Sequence, residues 1–169
     1  MDTQQEDQCI VDSLPRDTLI LLLPVDATER SRWGINYAIR RKQSGRDVAV
    51  SLLFVAEPVT SWQVLRFRTQ EEVRRFQVER GNYLLEDAAR ELEQAGIPVR
   101  ANYREGDIAF QILDVAEQLY CDEIVLPMPH PRWARLISPD IVREVIRRRR
   151  DVPVATVNPQ GMPEHSLQH

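Results

Sequence analysis

The stretch LPMPHPRWARLISPDIV, residues 126–142, gathers most of the side chains in this sequence that could do chemistry. It reads as the exit of a buried strand, a loop and the start of a helix, the junction where open α/β proteins hold phosphates. His130 stands apart from the other two histidines, His165 and His169, which fall at the end of the chain. Arg132 and Arg135 offer charged donors to an anion, and Trp133 between them offers an apolar plate. The same stretch argues against a phosphate cradle. Such a cradle needs converging backbone N–H groups and glycines that let the backbone come close. Here there is no glycine, and Pro127, Pro129 and Pro131 each lack an N–H. Ser138 and Pro139 fit the N-cap and first-turn positions of the helix, and Asp140 places a negative charge in its first turn. That charge complements the helix dipole by about 0.3–1 kcal/mol and repels a phosphate from the same place.

Elsewhere the chemistry is sparse. No Ser-His-Asp or Cys-His arrangement follows from the spacing, and no metal-ligand cluster is visible. Cys9 and Cys121 are too few and too far apart for a disulfide or metal framework, and Cys121 reads as a small buried residue at the start of a strand. The run Arg147–Arg150 ends a helix, where cations complement the dipole, and Asp151 follows it. With a net charge of −4 the chain gives no electrostatic reason to expect nucleic acid or an anionic membrane as partner. The expectation is a protein without a cofactor, a metal or an enzymatic activity.

The elements that position these residues alternate strand and helix. With 43% hydrophobic and 28% charged residues, 169 residues make one globular domain. Residues 1–17 read as a polar tail, 18–157 as the domain and 158–169 as a second tail. The start carries no secretory pattern, and the longest apolar run, Leu19–Val25, is too short to span a bilayer, so a cytoplasmic protein is expected. Thr18–Val25 is a strand buried on both faces, with Thr28 or Ser31 placed to cap a helix that stops near Gly45. Asp47–Ala56 is a second buried strand. A long helix spans roughly Thr69–Ala95, with Gly81 as a point of kinking. Ile97–Arg104 alternates, with Val99, Ala101 and Tyr103 opposed to Arg100, Asn102 and Arg104, as a half-exposed edge strand does. Asp107 caps the next helix, Glu123–Leu126 is the fourth strand, and Val152–Val157 is the fifth. Such alternation implies an α/β fold, a mostly parallel open sheet with helices on both faces.

Three stretches in order, ILLLPVDATERS, REGDIAFQILDVAEQLYCDEIVL and DVPVATV, resemble the universal stress protein family over residues 18–157. The resemblance implies a five-stranded parallel Rossmann-like sheet, close to the adenine nucleotide α-hydrolase architecture, in the order 3-2-1-4-5. It also implies a homodimer through the last strand, at Val154, Ala155, Thr156 and Val157. Many members of the family bind ATP through G-x-x-G, nine residues, then G-S or G-T after the fourth strand. Those positions here hold Pro127, His130, Asp140 and Ile141. All four differ, so the resemblance implies a member without glycine-loop ATP binding, acting as a dimeric regulatory or interaction module with an unidentified protein partner. Asp26 matches the family's aspartate at the end of the first strand, and Val25 and Val55 would wall the same cleft. The alternative is therefore a small-molecule sensor that takes a nucleotide or other anion with Val25, Asp26, Val55, His130, Arg132 and Arg135. Asp26 has a plainer role available, bracing its own turn.

Overall fold

Leu21, Leu22 and Leu23 are all fully buried, although consecutive side chains on a strand point to opposite faces. Strand β1 (Leu19–Pro24) is therefore covered on both sides, as its unbroken apolar sequence predicts. The computed structural model describes residues 15, 17–59, 66, 68–129 and 140–164. After β1 a 3-10 turn, Glu29–Ser31, leads into α1 (Arg32–Gln43). Strand β2 (Val48–Ala56), helix α2 (Gln70–Gln94), strand β3 (Val99–Glu105) and helix α3 (Ile108–Gln118) follow. Strand β4 (Glu123–Pro127), helix α4 (Ile141–Arg148), strand β5 (Val154–Val157) and strand β6 (Pro163–Glu164) complete the order.

The sheet runs β3-β2-β1-β4-β5-β6. Its first five strands are parallel and in the expected order. The sixth corrects the expected count of five: Pro163 and Glu164 pair antiparallel with Val157 and Thr156. Two residues in a turn-forming stretch carry no alternation, so nothing in the sequence signals this strand. Strand β5 begins at Val154, two residues later than expected, and Pro153 before it contributes a carbonyl to Ile124 N–H at 2.9 Å.

Two cores flank the sheet. Leu21, Leu23 and Val25 of the β1 segment pack with Val48, Val50 and Leu52 under α1 and α2, which supply Ile35, Tyr37, Leu85 and Leu92. Leu22 and Leu53 face the other way, against Ile112 and Val115 of α3 and Val142 and Val145 of α4. Each large aliphatic side chain buried this way contributes about 1.5–3 kcal/mol.

Of the caps expected from the sequence the one at α3 forms, and α2 has one that was not expected. Thr69 accepts from Glu72 N–H at 3.2 Å while the Glu72 carboxylate accepts from Thr69 N–H at 2.8 Å, a complete capping box. Asp107 accepts from Phe110 N–H at 2.8 Å. Ser31 precedes α1 but makes no side-chain capping bond, and donates instead to the Thr28 carbonyl at 2.9 Å. At α4 the N-cap is Asp140, which corrects the assignment of that role to Ser138. Helix α2 runs without a break in its assignment through Gly81. The glycine is required for packing, because a Cβ there would stand 2.6 Å from the Phe54 ring. In β3 the alternation is imperfect: Asn102 is buried and donates to the Leu52 carbonyl at 3.1 Å.

Candidate functional site

The chain builds β1, β2 and β3 outward in one direction and then returns to add β4 and β5 on the other side. The order therefore reverses between β1 and β4, and the crevice beyond their carboxyl ends is the natural ligand site of an open α/β sheet. Among the described residues its rim consists of the segment after β1, residues 25–31, and Met128 and Pro129 after β4.

One carboxylate oxygen of Asp26 braces its own turn. Its Oδ1 accepts from Thr28 N–H at 2.7 Å and from the Thr28 hydroxyl at 2.6 Å. This bracing is the plainer of the two roles open to it, and it engages Oδ1 of an exposed carboxylate. Val25 and Val55 do not wall one cleft. Val25 packs into the core under α1 and α2, whereas Val55 lies against the core on the opposite face of the sheet. Both stand near the carboxyl ends of adjacent strands, and strand alternation sends them to different sides.

A cavity of about 140 Å³ does open beside Asp26, lined by Val25, Thr28, Ser31, Arg32 and Asp87 among others. It lies on the α1–α2 side, and Val55 is not among its lining residues. Small-molecule sites are usually about 300–1,000 Å³, so it is undersized for a nucleotide. Arg32 at its edge is held by Asp87 at 3.0 Å and Glu91 at 3.1 Å.

The crevice itself is crossed by a side chain that sequence reasoning did not single out. Arg30, half-buried on the 3-10 turn, donates from its guanidinium to the carbonyl oxygen of Met128. The same guanidinium lies 5.1 Å from the ring centre of Trp33, a cation–π arrangement. Met128 N–H donates in turn to the Val157 carbonyl at 2.9 Å, so the first peptide beyond β4 is held from two sides. Nothing in residue type separates Arg30 from the other cations of the chain. Only its position four residues beyond Asp26, on the rim of the reversal point, could have marked it.

At the N-terminus of α4 the seat for an anion is taken. Asp140 accepts from Arg143 N–H at 3.4 Å and pairs with Arg143 Nε at 2.8 Å, its side chain being only 7% exposed. Pro127 closes β4, and Ile141 packs against the core under α3 and α4. His130, Arg132, Arg135 and Trp133 lie outside the described residues. Of the arginine run, Arg147 and Arg148 each meet Glu144 at 2.5 Å, and Arg148 also reaches Asp107 at 3.2 Å. These pairs tie the first two arginines of the run to carboxylates at the helix end. Cys121 is buried, and that burial above all pushes its thiol up to about 12, with the charge of Asp122 adding to the effect. Among the described residues no three His, Cys, Asp or Glu side chains converge as a metal site would require, and no helix is long and apolar enough to cross a membrane.

Residues 19–158 match the model of the universal stress protein family. The chain belongs to this family. Solved relatives share the fold at low identity. A universal stress protein from Archaeoglobus fulgidus DSM 4304 is 18% identical with a TM-score of 0.66, over 88% of this chain and 50% of that one. A universal stress protein in complex with cAMP is 14% identical, with a TM-score of 0.59 over 83% of this chain and 97% of that one. An Arabidopsis thaliana family member with AMP bound is 16% identical, with a TM-score of 0.57 over 83% and 91%. A comparison with curated proteins gives no match. The membership bears out the resemblance carried by the three sequence stretches, and the α/β fold with its mostly parallel sheet agrees.

Proposed function

We propose that this universal stress protein is a cytoplasmic regulatory or interaction module of the stress response, and not an enzyme. It works by presenting a surface to a protein partner, without glycine-loop ATP binding. The observation that carries this reading is the bond from Arg30 to the Met128 carbonyl, which spans the crevice where a nucleotide would enter. Two further features support it. The glycine positions of the family's loop include Pro127 and Asp140 here, and Asp140 already neutralises the helix end that a phosphate would seek.

The relatives with cAMP and AMP bound favour a second reading, a nucleotide sensor without the glycine loop. On that reading the ligand would have to displace Arg30 and meet Asp26 while its Oδ1 braces the turn. Isothermal titration of the full chain with ATP, AMP and cAMP separates the two. The module reading expects no saturable heat with any of them. Micromolar binding of AMP that is lost in Asp26→Ala would overturn it in favour of the sensor.

A further inference from the structure

An open groove of about 600 Å³ lies between the end of α1 and the arm that carries β6. Tyr37, Arg40, Arg41 and Ser44 form one wall, and Met162 and Pro163 the other. The arm is fixed in place, so the groove is a built feature. Asn36 of α1 donates from Nδ2 to the Pro159 carbonyl at 3.0 Å. The Asn158 side chain accepts from Gln160 N–H and Met162 N–H, both at 3.0 Å. Gly161, with φ +68°, presses so closely on α1 that a Cβ would stand 2.4 Å from the Tyr37 backbone nitrogen.

The α1 wall is basic, and no carboxylate lines the groove. Arg41 is aimed by Tyr37: its Nε donates to the phenol oxygen at 3.0 Å, and its guanidinium lies 5.1 Å from the ring centre. The Tyr37 hydroxyl donates in turn to Glu123 at 2.7 Å, a carboxylate outside the groove lining. Arg40 is exposed, and neither it nor Arg41 forms an ion pair among the described residues. The helix dipole favours cations in a last turn but supplies no partner for their side chains. Two arginines facing apolar Met162 and Pro163 suit a peptide that is both acidic and apolar.

The chain contains such a peptide. Residues 1–14, outside the described residues, read MDTQQEDQCIVDSL. Asp2, Glu6, Asp7 and Asp12 have no lysine or arginine among them, and Cys9, Ile10 and Val11 make an apolar run. These four carboxylates equal the net charge of −4, so the rest of the chain is balanced. The segment also enters the fold at the right end. Leu21 of β1 is level with Glu123, the first residue of β4, which Tyr37 contacts from the groove wall. From β1 to β6 there are three strand spacings, about 14 Å, and six residues of extended chain span about 20 Å. Residues 6–11 are therefore within reach of the groove from Pro15. Residues 165–169 follow the arm directly but carry no acidic side chain, so charge favours the other end of the chain.

We propose that the groove is an acidic-peptide site occupied by the chain's own N-terminal segment. Glu6 and Asp7 pair with Arg40 and Arg41, and residues 9–11 lie against Met162 and Pro163. The inference is independent of whether the crevice binds a nucleotide.

A nitroxide on Cys9 of the full chain tests the contact; Cys121 is buried, which directs the label to Cys9. The amide signals of Arg40, Ser44 and Met162 are expected to broaden, while those of Arg100 and Asn102 on the far edge strand stay sharp. In Arg40→Glu, and separately in Glu6→Lys with Asp7→Lys, the groove signals are expected to recover. Arg40 is exposed and forms no ion pair, so its replacement leaves the fold intact. Sharp groove signals in the labelled native chain overturn the proposal. So does broadening that survives either variant. Broadening in an unlabelled, isotope-enriched chain mixed with the labelled one also overturns it, because the groove would then hold the segment of a second copy.

Discussion

Arg30 and Met128 are joined across the reversal point of the sheet: the guanidinium of one donates to the carbonyl oxygen of the other. A hydrogen bond from a charged donor is worth about 1.5–3 kcal/mol net when partly buried. The Arg30 guanidinium also lies over the Trp33 ring, so its removal loses a second contact. Arg30→Met, which keeps the apolar stem, is expected to lower stability by about 1–3 kcal/mol in urea unfolding. The same variant should still give no heat with ATP, because Asp140 and Pro127 remain. An Arg30→Met chain that gains ATP binding would show that this side chain alone closes the crevice.

Gly81 gives a prediction in which two principles disagree about the sign. In an exposed helix, glycine to alanine gains about 1 kcal/mol. At this site the new Cβ would stand 2.6 Å from Phe54 Cδ1 and 3.0 Å from Tyr103 Cδ2. The two rings stack with centroids 5.9 Å apart, so neither swings aside freely. Overpacking costs about 1–3 kcal/mol, and it should win. Gly81→Ala is expected to shift the urea midpoint downward. Adding Phe54→Leu, which removes the ring, should recover part of the loss. A stabilised single variant would mean that α2 can lift off the sheet at little cost.

How much of this was legible in the sequence depends on the range of the interaction. Asp107 with Phe110 is a bond within one turn of helix and was read directly from the sequence; Thr69 with Glu72 is equally local, and there only the helix boundary was read. The strands β1 and β2 were legible because parallel strands covered on both faces leave unbroken apolar runs. The role of Asp26 was legible as one of two options, since an Asx turn needs only the residue two positions on. Arg30 to Met128 spans 98 positions, and no local rule points from one to the other. The packing role of Gly81 was not legible, because its partners, Phe54 and Tyr103, come from two other elements. Strand β6 and the turn before it were not legible for a further reason. The two-residue strand has no period, and the fit of the turn to α1 rests on Gly161, whose contact with Tyr37 emerges only in three dimensions.

Asp140 shows how a local rule can land two residues away from the right place. Ser138 followed by proline is a sound N-cap pattern, yet the helix begins at Ile141 with Asp140 as its cap. The carboxylate does two jobs, accepting from Arg143 N–H and pairing with Arg143 Nε. Losing an N-cap costs about 1 kcal/mol, and asparagine preserves the capping bond. Asp140→Ala should therefore destabilise by about that amount in urea unfolding, and Asp140→Asn by clearly less. Equal losses from the two would assign the stabilisation to the ion pair with Arg143 and not to the cap.

Cys121 ties a buried thiol to the alkaline limit of stability. Burial pushes its pKa up from 9.0 to about 12 in the folded chain. In the unfolded chain the thiol ionises near its ordinary value. Between those two limits the unfolded state holds fewer protons than the native state, so stability falls as pH rises. The slope reaches about 1.4 kcal/mol per pH unit for one proton. Other groups titrate in the same range, and the difference between two chains isolates this one. Urea midpoints of Cys9→Ser and of Cys9→Ser with Cys121→Ala are expected to converge as pH is raised from about 8 to about 10.5, because only the first carries the thiol penalty. The alanine chain starts lower, having lost buried side-chain volume, and declines less steeply. In the first chain a thiol reagent at neutral pH should label Cys121 only as fast as the protein unfolds. Rapid labelling of the native protein would mean that the thiol is reached without unfolding, and the steeper alkaline slope would then be expected to vanish with it.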